Sequence, residues 1–262
     1  MAFDTSNYQV AKPKALPVIL LLDVSGSMSG QKITALHNSV VEMVNTFVQE
    51  RAKETIIKVA MITFGASVSL HTPYTDAEEL QQKGISNFFA VGMTPLGAAL
   101  HMAKDMVDDK EETPPRELWA PITVLVSDGC PNDNWQGYFN AYINGDANGN
   151  FSTKGQRFSV AIGNDADMDM LRSFAGNGGE CFIAEDATKL VETFKKISKT
   201  ISETSSQVGK DGTGGGTSGI GPSITRPVGP SQTSGGGGSV GRPKSIVKPS
   251  NPGNNTDEDE EW

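Results

Sequence analysis

Short apolar runs alternate through the first two hundred residues with stretches whose apolar positions recur every three or four residues. Val18-Ile-Leu-Leu-Leu22 is continuous, without polar alternation, as a strand buried on both faces of a parallel sheet requires. It stops at a polar loop, Asp23-Val-Ser-Gly-Ser-Met-Ser-Gly30. From Gln31 to about Arg51, the positions Ile33, Leu36, Val40, Val44, Phe47 and Val48 fall at helical spacing and predict an amphipathic helix. Ile56 to Phe64 reads as a second buried strand. Gly65-Ala66 turns it into a shorter alternating strand at Val68, Leu70 and Thr72, which Pro73 is expected to close.

A small helix near Asp76 to Gln82 leads to Ala90-Val-Gly-Met-Thr-Pro-Leu-Gly97 and a helix from about Leu96 to Glu111, with Pro95 at its start. Ile122 to Val126 predicts the next buried strand, ending in Ser127-Asp128-Gly129. Phe158 to Ile162 and Cys181 to Ala184 predict two more, followed by helices from roughly Ala166 to Ala175 and Ala187 to Ser202. Strands alternating with helices imply an α/β fold: a doubly wound, mainly parallel sheet with helices on both faces. No internal repeat is evident.

Composition divides the chain. From Ser205 to Trp262, 34 of 58 residues are Gly, Pro, Ser or Thr, and Trp262 is the sole aromatic. Such a segment cannot bury enough apolar area to offset its ordering entropy. The expected organisation is therefore an extension over residues 1–14, one domain over 15–204 and a disordered tail over 205–262. The stretch Ser234-Gly-Gly-Gly-Gly-Ser239 reads as linker.

Residues 1–204 carry 17 Lys and Arg against 25 Asp and Glu, a net charge of −8, and the tail adds −1. An acidic surface repels phosphate backbones and anionic lipid, so neither nucleic acid nor membrane is an expected partner. The N-terminus lacks a basic start and a long apolar run, which predicts a cytoplasmic protein with Cys130 and Cys181 reduced and buried.

Candidate chemistry gathers at the predicted strand ends, where ligands bind in open α/β sheets. Asp23, Ser25 and Ser27 follow the first strand, Thr94 precedes a helix, and Asp128 follows a central strand. Two carboxylates and three hydroxyls form a hard-oxygen set suited to Mg²⁺, with Mn²⁺ admissible. Alternate residues of an extended loop point the same way, so Asp23, Ser25 and Ser27 can converge.

These segments, in this order, resemble the metal-ion-dependent adhesion site of von Willebrand factor type A (vWA) domains, a resemblance covering residues 15 to 204. It implies that Ser25, Ser27 and Thr94 bind a cation, with Asp23 and Asp128 direct ligands or carboxylates holding its waters. It further implies a non-enzymatic module whose protein partner supplies Asp or Glu to an open coordination position. The runs LLDVSGSM, TPLGAAL and VSDGCPND are similar to bacterial TerY/YegL-type proteins of the tellurium-resistance and stress-response group. That likeness implies kinase-like and phosphatase-like partners, with the chain a monomer when free.

Plainer readings compete. Asp23-x-Ser-x-Ser alone also suits a capping loop, and the company of Thr94 and Asp128 favours the metal. A phosphotransferase with Asp23 as nucleophile is the enzymatic alternative, weakened because Ser25 stands where a general acid is needed. Asp146-x-Asn148-x-Asn150 and Asp165-x-Asp167-x-Asp169 lack the Gly and Glu of a calcium loop. The first reads as a solvated insertion, the second as a charged helix start. His37, His71 and His101 lack metal-ligand spacing. Trp135, Tyr138, Phe139 and Tyr142 predict one face of a short helix, with Trp135 and Tyr138 as candidate partner contacts. The tail ends in Asp257-Glu-Asp-Glu-Glu-Trp262, where Trp262 is a further candidate contact. The plain reading of that end is a solvated acidic terminus; about 50 residues of linker composition span roughly 40 Å, so the alternatives are a tail carboxylate that competes for the open coordination position or an acidic-Trp end that docks a basic partner.

Overall fold

A computed structural model describes residues 14–50, 55–111, 113–114, 117–147, 149–163 and 165–211. The tail beyond 211, the first 13 residues and Trp262 lie outside the described residues. The strands are β1 (Ala15–Asp23), β2 (Ile56–Phe64), β3 (Val68–Asp76), β4 (Ile122–Ser127), β5 (Gln156–Ile162) and β6 (Glu180–Ala184). The helices are α1 (Gln31–Glu50), α2 (Ala77–Lys83), α3 (Leu96–Asp108), α4 (Trp135–Asn144), α5 (Met168–Ala175) and α6 (Ala187–Asp211).

The sheet order is β3-β2-β1-β4-β5-β6, parallel throughout except for the β2–β3 hairpin. β1 is central, and Val18 through Leu22 have no exposed surface. Its residues alternate between two cores. Val18, Leu20 and Leu22 pack with residues of α1 and α6, whereas Ile19 and Leu21 pack with those of α3, α4 and α5. Two apolar layers explain why this strand carries no polar alternation. Truncating Leu20 to Ala would cost about 3–5 kcal/mol.

Strand order reverses between β1 and β4, since β2 and β3 extend the sheet one way and β5 and β6 the other. The register sets Leu22 beside Val126, so Asp23 and Ser127 end neighbouring strands at the same edge. The fold thereby builds its ligand-binding crevice from these two loops.

Several expectations need correction. Pro73 does not close β3, which continues to Asp76. Thr72 pairs with Met61 and Thr75 with Val59, so Pro73 and Tyr74 together face Ala60 in a bulge. On an edge strand at a bulge, the missing N–H breaks no ladder bond. α3 stops at Asp108, short of Glu111, and α6 runs on to Asp211, past Ser202. Both cysteines are free, but Cys130 is exposed and Cys181 only partly buried, because β4 ends at Ser127 and releases Cys130 onto the rim. The loop at Asp146 is pinned as well as solvated: buried Lys104 donates to Asp108 at 2.5 Å, Asp146 at 3.0 Å and the Gly149 carbonyl at 3.1 Å. Among the described residues no helix is long and apolar enough to cross a membrane.

Candidate metal centre

Asp23 is the last residue of β1 and has no exposed surface. Both carboxylate oxygens accept hydrogen bonds: Oδ1 from the Ser25 N–H at 2.8 Å and Oδ2 from the Ser127 hydroxyl at 2.7 Å. Ser25 is extended and leads into a short 3-10 turn over Gly26–Met28. This path brings the Ser25 and Ser27 hydroxyls to 3.0 Å, and Ser27 donates onward to Asp128 Oδ1 at 2.7 Å. Lys32, in the first turn of α1, donates to Asp128 Oδ2 at 2.6 Å. One continuous polar chain thus runs Ser127, Asp23, Ser25, Ser27, Asp128, Lys32.

Thr94 arrives from a third loop. Its side chain is buried, and its carbonyl accepts the N–H of Asn132 at 3.2 Å, tying it to the loop after β4. Val91 N–H donates to Val24 O at 2.8 Å and Gly26 N–H to Gly92 O at 2.9 Å, stitching the preceding residues to the Asp23 loop. All five predicted ligands therefore meet in one cluster of loops at the carboxyl edge of the sheet, four of them in the polar chain itself.

The electrostatics favour a cation. Desolvation pushes the Asp23 carboxyl above the ordinary carboxylate range; hydrogen bonds from Ser25 and Ser127 oppose the rise and the nearby Asp128 charge adds to it. Two carboxylates with at most 2% exposure lie in this chain, and the Lys32 ammonium pairs with one of them, Asp128, leaving negative charge that a divalent ion would neutralise. Among the described residues no three His, Cys, Asp or Glu gather as a metal site. A cation here must therefore draw much of its coordination from hydroxyls, in keeping with a hard-oxygen set.

The aromatic face divides. Phe139 and Tyr142 are core residues, Trp135 is half-buried edge-on to Phe139, and Tyr138 is exposed and stacked on His101 at 5.1 Å. Trp135 lines a shallow groove with Phe139 and Met170. Asp167 caps α5 by accepting from Met170 N–H, as a charged helix start should. Three participants escaped the sequence reading. Ser127 sat unremarked beside Asp128, Lys32 lay one turn into a helix, and Asp133 holds the start of α3 by accepting the Gly97 and Ala98 N–H groups at 3.0 Å. Only strand register or a tertiary contact could have revealed them.

A family model of the von Willebrand factor type A domain matches residues 18–197. The chain belongs to that family. Solved structures with the same fold include a von Willebrand factor type A protein from Catenulispora acidiphila, at 16% identity and a TM-score of 0.56, covering 72% of this chain and 43% of that one. Proximal thread matrix protein 1 from the mussel byssus, with a zinc-occupied metal-ion-dependent adhesion motif, matches at 15% identity and a TM-score of 0.55 over 73% of this chain and 46% of its own. A D319A mutant of the PilB minor pilin from Streptococcus sanguinis matches at 16% and 0.54, over 76% and 64%. This chain spans less than half the length of the first two. No curated protein matches it. The vWA domain is a metal-dependent adhesion and protein-interaction module, and the loop cluster lies inside the matched segment.

Proposed function

We propose that this vWA domain binds a protein partner through Mg²⁺ held by Ser25, Ser27, Thr94 and Asp128, with the partner's Asp or Glu completing the coordination. Asp23, whose two oxygens already accept hydrogen bonds, supplies charge and orients Ser25. The carrying observation is the polar chain joining Asp23, Ser25, Ser27 and Asp128 across the point where strand order reverses. The bound ion would supply an electrophilic centre that an acidic side chain can reach. The phosphotransferase alternative gains no support, because a nucleophilic carboxylate must be reachable and Asp23 is fully covered.

A narrower setting rests on the likeness of LLDVSGSM, TPLGAAL and VSDGCPND to TerY/YegL-type proteins. On that reading the domain serves a cytoplasmic stress-response assembly with kinase-like and phosphatase-like proteins. The test is a pull-down from source-cell lysate in Mg²⁺, in EDTA, and with Asp23→Ala and Ser27→Ala chains, with bound proteins identified by mass spectrometry. Partners lost in EDTA and in both variants support cation-bridged recognition. Partners retained throughout would refute it.

A further inference from the structure

Residues 84–95 connect α2 to α3 across the rim of the metal loops, and from Phe88 to Val91 they alternate in burial like a strand. Phe88 and Thr94 are buried and Ala90 half-buried, while Phe89, Val91 and Met93 are 77%, 56% and 66% exposed. Gly92 is exposed, yet its backbone is tightly placed: with φ +84° and the Ala66 backbone against the place of a Cβ, no side chain fits there.

The ridge is held firmly. Phe88 is wedged edge-on between the His37 ring at 5.3 Å and the His71 ring at 4.9 Å. Val91 N–H and Gly92 O are both bonded to the Asp23 loop. A Cβ on Gly65 would meet the carbonyls of Val24 and Val91 at 2.7 Å, so the β2–β3 turn supports the same strip from behind. Three large apolar side chains are thus fixed in solvent immediately before the candidate ligand Thr94. Preorganised apolar groups beside a polar centre are what a binding hot spot requires.

We infer that this ridge reads the apolar part of the partner. The occupant is an extended protein segment carrying a carboxylate and, within about five residues of it, a large aliphatic or aromatic side chain, since an extended strand rises roughly 3.3 Å per residue over the stretch from Thr94 back to Phe89. The inference rests on the metal reading above. Only the cation is complementary to the partner's carboxylate: residues 1–204 carry −8, so an acidic segment is repelled elsewhere, and carboxylate alone would not distinguish one acidic segment from another, which leaves discrimination to the apolar ridge.

The test pans a phage-displayed random peptide library against the full chain in Mg²⁺. Selected peptides are then measured by fluorescence anisotropy with the full chain and with a Phe89→Ser/Met93→Ser chain, each in Mg²⁺ and in EDTA. Both residues are exposed, so the variant should fold and titrate with Mg²⁺ unchanged. The expected result is a consensus pairing an acid with a large apolar residue, lost in EDTA, and ~tenfold or more weaker in the double variant. Acidic peptides with no apolar preference, equal affinity for both chains, or no selected peptides at all would each overturn the ridge. Peptides weakened by the variant yet indifferent to EDTA would overturn the metal reading while keeping the ridge as a contact surface.

Discussion

Asp23 keeps a carboxylate in a place water does not reach, and hydrogen bonds from its two neighbours Ser25 and Ser127 only partly compensate for it. Asn keeps the shape and can still accept from the Ser25 N–H, but brings no charge to bury. Asp23→Asn should therefore raise the melting temperature of the metal-free chain by about 2–4 °C, the equivalent of about 1 kcal/mol in a domain of this size, and abolish the upward shift that Mg²⁺ gives the parent. Differential scanning calorimetry in EDTA and in Mg²⁺ measures both; an undiminished Mg²⁺ shift would remove Asp23 from the site. Lys32 makes the opposite case. Its ammonium lies 2.6 Å from Asp128 Oδ2 and competes with a cation for that oxygen. Lys32→Met removes the competing charge, so isothermal titration should show Mg²⁺ binding about tenfold tighter. Weaker binding would mean that the lysine orients Asp128 rather than opposing the ion. Of these residues the sequence exposed the two aspartates, because both follow continuous apolar runs. It hid Lys32, whose partner lies 96 residues away.

At the scale of elements, the strip over residues 84–95 is fastened to the rest of the fold by Phe88 and its two histidines, one from α1 and one from β3. Burial lowers the His71 pKa below its ordinary 6.5; a backbone hydrogen bond at Ser86 works against this, and the His37 charge adds to it. His37 Nδ1 is itself buried without a hydrogen-bond partner among the described residues. Because the folded state prefers neutral His71, its contribution to stability is whole above 6.5 and is lost as pH falls through the lower folded value. Urea unfolding should accordingly weaken between about pH 7 and pH 5, and His71→Phe should flatten that slope. Amide exchange reports the local consequence: the Val91 and Gly26 N–H groups should lose protection in acid before the β1 amides do. Uniform loss would assign the acid sensitivity to the whole domain. Elements with a strong hydrophobic period, β1, α1, β2 and β4, were legible along the chain, since a two-sided core leaves a continuous apolar signature. The β3 extension past Pro73 was not, because a bulge is a property of the partner strand's register. The strip itself was passed over as a connection, since exposure beside alternating burial shows only in three dimensions.

For the molecule as a whole, charge sets the approach of any partner. Residues 1–204 carry −8, while the proposed attraction is confined to one cation in a rim of loops. Within a Debye length of the surface an acidic ligand meets net repulsion, and at contact it meets metal and apolar ridge. Salt screens the first far more than the second: the screening length falls from about 30 Å at 0.01 M to about 8 Å at 0.15 M, while a coordinate contact of a few ångströms lies inside both. Association of an acidic peptide should therefore quicken as ionic strength rises over that range in saturating Mg²⁺, with dissociation nearly constant, the reverse of electrostatic steering between opposite charges. Stopped-flow anisotropy with a library-selected peptide measures both rates. Association that slows with salt would show that the field of the bound ion reaches past the acidic surface, and would make the cation the guide of approach as well as the point of attachment.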